Sequence, residues 1–115
     1  MSKLDKPIIS QSQLVEEWMR VLPTTLEKAD QARIWADEAD AEALRVHITV
    51  AGHTGYTFDF KVKYVDSREI KVDLVDVEQG QKHIDERSDI VQTLIEDYVR
   101  HIHECAQSLK QVTHA

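Results

Sequence analysis

The densest run of reactive side chains is Asp97-Tyr98-Val99-Arg100-His101-Ile102-His103-Glu104-Cys105. Carboxylate, imidazole and thiolate are the groups that bind zinc. On a helix, however, His101 and His103 sit two positions apart and project about 160° from one another, so one ion cannot take both. Asp97, His101 and Cys105 instead follow one another at i,i+4 steps along a single ridge. Such a ridge could offer two ligands to zinc, with the others coming from elsewhere. The competing reading makes Cys105 a small core residue and His101 a core-edge residue beside Asp97. No CxxC or HExxH spacing favours the metal, and the expectation is a protein without a resident cofactor, zinc being the alternative.

A second candidate is His47 with Asp59. If the two lie opposite each other on neighbouring strands, the carboxylate orients the imidazole as it would a general base. The only hydroxyls near them in such a pairing are Thr49 and Thr57, and threonine is ordinary strand composition. A solvated charge pair is therefore the expectation. Lys61, Lys63 and Lys71 would share that sheet face, where nucleic-acid binding is a third option. The segment Gly52-His53-Thr54-Gly55 joins two antiparallel strands, lacks a following helix N-terminus, and so reads as hairpin chemistry.

The elements that must position these residues follow from periodicity. From Ala43 onward the apolar pattern has period two: Leu44, Val46, Ile48 and Val50, then Tyr56, Phe58, Phe60, Val62 and Tyr64, then Ile70, Val72 and Leu74. Three antiparallel strands result, between about 43 and 78. Keeping the apolar residues on one face pairs Val50 with Tyr56, Ile48 with Phe58 and Val46 with Phe60. It likewise pairs Tyr64 with Ile70, Val62 with Val72 and Phe60 with Leu74. The other face then carries His47 beside Asp59 and the row Arg45, Lys61, Asp73. Lys63 beside Lys71 is a like-charge pair, unfavourable unless a carboxylate is near. The parity slip after Leu74 predicts a β-bulge near Leu74-Val75, an edge strand bending away being the alternative.

Helical spacing of Leu14, Val15, Trp18, Met19 and Leu22 predicts an N-terminal helix capped by Ser10 or Ser12 and stopped by Pro23. A second, long amphipathic helix is expected over 88–110, with Val91, Leu94, Ile95, Tyr98, Val99, Ile102, Cys105, Ala106 and Leu109 inward. Segment 24–41 has helix-favouring composition, yet Ala32, Ile34 and Ala36 alternate with Arg33, Trp35 and Asp37, so helix and strand are equally supported over 32–37. The fold class is thus α+β: a meander of three, possibly four, strands covered on one face by both helices. Residues 10–111 form one domain, with a flexible arm at 1–9 and a frayed tail at 112–115. Three strands offer too little surface for two apolar helices. Either a fourth strand widens the sheet, or the N-terminal helix, with Trp18 and Met19, meets another molecule.

The 115 residues carry a formal charge of −7, spread evenly along the chain, with 42% hydrophobic residues. No basic stripe supports general nucleic-acid binding. No apolar run reaches the roughly 18 residues a membrane span needs, and the first residues lack the apolar core of a leader, so a cytoplasmic location is expected. A single cysteine agrees with a reducing compartment. The residues favour a small acidic, non-enzymatic interaction or regulatory domain that forms a homodimer or binds a protein partner. Its contact surface is expected among Arg45, His47, Asp59, Lys61, Lys63 and Lys71, or at Trp18 and Met19.

Overall fold

In a computed structural model, described for residues 7–51, 55–80, 88–114 and the backbone of 82–83, the element order is α1 (Gln11–Thr25), β1 (Gln31–Ala36), β2 (Ala43–Thr49), β3 (Tyr56–Tyr64), β4 (Ile70–Gln79), β5 (Lys82–His83), α2 (Asp89–Ser108) and α3 (Lys110–Thr113). The fold is α+β. The sheet is antiparallel throughout in the order β1-β2-β3-β4-β5, with four long strands and a two-residue fifth. Turn residues 52–54 lie outside the described residues.

Segment 24–41 resolves in favour of the strand. Its Ala- and Glu-rich composition loses to alternation, because Ile34 must face the core while Arg33 and Trp35 face out. β1 pairs along β2 from Gln31↔Thr49 to Ala36↔Leu44. Asp37 lies just beyond the strand, in the loop to β2. The β2–β3 and β3–β4 registers match the apolar pattern at each position named above, including His47↔Asp59, Lys61↔Asp73 and Lys63↔Lys71. The β4 bulge is also where parity indicated: Leu74 pairs with Phe60, Asp76 pairs with Asp59, and Val75 is the extra residue, 49% exposed. The extra residue turns Val77 back into the core.

Both helices cover the same sheet face, α1 over β1 and β2, α2 against β4, and they touch each other. Ser10 caps α1 in a capping box: its hydroxyl accepts from Gln13 N–H and the Gln13 side chain accepts from Ser10 N–H. Leu14, Trp18 and Leu22 form the buried ridge. Pro23 does not stop the helix, which runs to Thr25. The Thr24 and Thr25 hydroxyls donate back to the Val21 and Leu22 carbonyls at 2.6 and 2.8 Å, supplying donors that the last turn lacks. Gln11, in the first turn, donates through its amide to the Asp37, Asp40 and Ala43 carbonyls and so pins the β1–β2 loop to α1.

Trp18 is a correction to the sequence reading. It is fully buried, not a surface residue, because β1 widens the sheet beneath α1. Its Nε1–H donates to the Tyr64 hydroxyl at 3.1 Å, and the two rings meet edge to face. Met19, one position on, is 53% exposed. The tail is also corrected: Val112 and Thr113 belong to α3, and Thr113 is buried, donating to the Ser67 carbonyl at 3.0 Å. Ile8 N–H donates to the Thr113 carbonyl, so the described part of the arm is tied to α3.

The Trp18–Tyr64 contact joins α1 to β3 through a buried bond. Trp18→Phe and Tyr64→Phe should each cost about 1–3 kcal/mol, and the double variant should cost about 1 kcal/mol less than their sum. Urea denaturation checks this; strict additivity would show that the bond contributes nothing.

Candidate functional site

The sheet face turned away from the helices is open. Across β1 to β4 its rows read Arg33, His47, Asp59, Asp76 and Trp35, Arg45, Lys61, Asp73, with the Lys63–Lys71 pair beyond. These side chains are half-buried to exposed, as an antiparallel sheet allows when one face meets water.

The β1–β2 loop supplies two carboxylates to this face. Arg45 Nε donates to Asp37 Oδ1 at 2.8 Å, and the Asp37 side chain is only 5% exposed. The Arg45 guanidinium holds the Asp37 carboxyl below its ordinary 3.8, against the opposing pull of burial. Asp40 Oδ1 accepts from Glu42 N–H at 2.9 Å, and Asp40 Oδ2 lies 3.0 Å from Lys63 Nζ and 3.8 Å from Lys61 Nζ. These contacts, the Glu42 N–H first, hold Asp40 low, while Asp40 raises Lys63. The like-charge cost of Lys63 beside Lys71 is thereby met by Asp40, and Lys71 lies 3.9 Å from Asp73. Three lysines that could have contacted phosphate are thus matched by carboxylates, which weakens that option.

His47 Nδ1 donates to Asp59 Oδ1 at 2.7 Å. Thr49 and Thr57 pair with each other one row along, as the register predicted. Beside the face, Trp35, Asp37, Glu38, Ala39 and Arg45 line a depression of about 310 Å³ that stops short of His47. Trp35, 45% exposed, forms its wall next to Arg45, its cross-strand partner. Arg33 is exposed on the same strand and face.

The three ridge residues all lie on α2, but in different surroundings. Asp97 pairs with Arg100 at 3.3 Å, and His101 Nδ1 donates to Glu104 Oε1 at 3.0 Å. Cys105 is fully buried in the apolar core, where burial pushes its thiol up to about 12. His103 is exposed on another side of the helix. Among the described residues no group of three His, Cys, Asp or Glu could hold a metal ion.

Of the residues singled out from the sequence, the structure brings together Arg45, His47, Asp59, Lys61, Lys63 and Lys71 on one face. It removes Trp18 to the core, leaves Met19 on α1, and buries Cys105 while Asp97 and His101 stay partly exposed. Trp35 and Arg33 were missed as site residues, although the alternation in 32–36 marks them as outward once β1 is a strand. Asp37 and Asp40 carry no sequence signal, because nothing in a loop's composition says that it folds back over its own sheet.

Compared with known proteins, the chain matches no family model, no curated sequence and no solved structure, so its function must be argued from these residues. No helix among the described residues is long and apolar enough to cross a membrane.

Because the folded-state Asp37 carboxyl titrates below its unfolded value, its contribution is complete above about pH 4 and is lost as pH falls through the folded value. Urea midpoints measured from pH 6 down to pH 2.5 should fall more steeply for the parent than for Asp37→Asn. Parallel curves would mean that the Arg45 contact does not persist in solution.

Proposed function

We propose that this chain is a non-enzymatic interaction domain that binds a protein partner on the open side of its sheet. The observation that carries this reading is Trp35: a large aromatic, 45% exposed, on the sheet face that neither helix covers, with Arg33 two positions along its strand and Arg45 directly across from it. Tryptophan and arginine are the residues in which binding energy concentrates at protein interfaces. Trp35 is also dispensable for the helix-facing core, since Ile34, not Trp35, contributes β1's buried side chain. A partner that covered the indole would remove its apolar surface from water. Charge supports a protein partner over nucleic acid: Lys61, Lys63 and Lys71 each have a carboxylate within 4 Å.

The His47–Asp59 contact supports a second reading, histidine-dependent chemistry on the same face. It fits less well, because only Thr49 and Thr57 offer hydroxyls nearby and the depression beside the face does not reach His47. Zinc held through Asp97, His101 and Cys105 fits less well again, since the Cys105 thiol lies in the core.

A peptide-display selection against the purified domain should enrich ligands whose binding weakens at least about tenfold in Trp35→Ala, the scale of an interface hot spot. Thermal unfolding of that variant should change little. Ligands indifferent to Trp35→Ala, or a variant that unfolds, would overturn the reading.

A further inference from the structure

β1 ends the sheet and pairs only with β2 among the described residues. Backbone parity shows which of its groups are free. Val50 N–H donates to Tyr56, so β2 turns the backbone groups of its even-numbered residues toward β3 and those of Ala43, Arg45, His47 and Thr49 toward β1. Asp37 N–H donating to Ala43 agrees. On β1, then, Gln31, Arg33 and Trp35 bond to β2, whereas the N–H and C=O groups of Ala32, Ile34 and Ala36 point away from the sheet. No hydrogen bond from a described residue reaches them. β1 carries no proline, no lysine and no bulge to block such an edge, and Arg33 is its one charged residue.

We propose that the edge of β1 is occupied by the β1 of a second copy of this chain, antiparallel and centred on Ile34. This commits the reading above, on which it rests, to one partner. The register follows from three constraints. A two-fold axis at Ile34 pairs Ala32 with the second copy's Ala36 and Ile34 with its counterpart, so all the free edge groups of both strands are used. It also sets Arg33 directly across from the other copy's Trp35, twice, in the non-hydrogen-bonded pairs where side chains approach most closely. A guanidinium against an indole face is a favourable contact. An axis at Arg33 would instead oppose two arginines. An axis at Trp35 would use fewer edge groups and set Arg33 against Asp37, whose carboxylate is already buried on Arg45.

α1 agrees with this occupant. Helical spacing puts Glu17 and Val21 on one flank of α1 and Val15 and Met19 on the other, and of these four only Met19 is exposed. Two chains joined through β1 would bring their α1 helices side by side, with the exposed Met19 of each between them. The exposed Met19 and Trp35 then lie on the two sides of one seam, and both are accounted for by the same partner.

Sedimentation equilibrium of the full chain should give twice the 13.3 kDa chain mass at high concentration, with the dissociation constant raised about tenfold or more by Trp35→Ala. Register is read by disulfide trapping under mild oxidation. A mixture of Arg33→Cys chains and Trp35→Cys chains should cross-link, whereas neither variant should cross-link alone; both positions are exposed, so folding is not at stake. A monomer at all concentrations, or cross-linking of Arg33→Cys with itself, would overturn the proposal. A monomer that still binds displayed peptides through Trp35 would leave the open-face reading standing and remove only the second copy.

Discussion

Two apolar helix faces need more sheet than three strands provide, and this requirement of area governs the molecule. Strands stand about 4.8 Å apart and a helix is about 10 Å across, so two adjacent helices call for at least four strands. β1 supplies the fourth. With Ile34 beneath it, α1 lies flat on the sheet, Trp18 becomes buried, and its indole N–H reaches the Tyr64 hydroxyl. The same pressure explains why a segment rich in alanine and glutamate becomes a strand: burying Ile34 under α1 outweighs a weak intrinsic preference for helix.

Adding β1 has two further effects. Its loop to β2 passes Asp37 and Asp40 over the outer face, where they meet Arg45, Lys61 and Lys63. Gln11 fixes that loop from the other side of the sheet by donating to three of its carbonyls. The first turn of α1 and the electrostatics of the opposite face are therefore mechanically connected, although no α1 side chain belongs to that face. The second effect is a new boundary. The strand that completes the core ends the sheet with unpaired backbone groups, beside an exposed indole that the core does not need.

Periodicity carried most of the fold in the sequence. Apolar alternation gave the β2–β3–β4 registers and the bulge at Val75, because a slip of one residue would have turned Phe58 or Phe60 into water. It could not choose between helix and strand for 32–37, since six residues with two alanines satisfy either pattern and the deciding term, the width needed under α1, is tertiary. The site was half legible. His47–Asp59 and the lysines followed from register alone, whereas Asp37 and Asp40 depend on a loop's path. Trp18 was misjudged because the strand at 32–37 was left open, and Cys105 was rightly placed on the inward stripe of its helix. The end of α1 was missed because Pro23 falls in a last turn that two threonine hydroxyls complete.

The central claim is that β1 completes the core on one side and offers a vacant ladder on the other. Residue-resolved amide hydrogen exchange along β1, at low and high protein concentration, tests it most directly. In dilute solution the Ala32, Ile34 and Ala36 amides should exchange much faster than those of Arg33 and Trp35, which bond to β2, and raising the concentration should slow those three selectively. Even protection along β1 at every concentration would contradict the account.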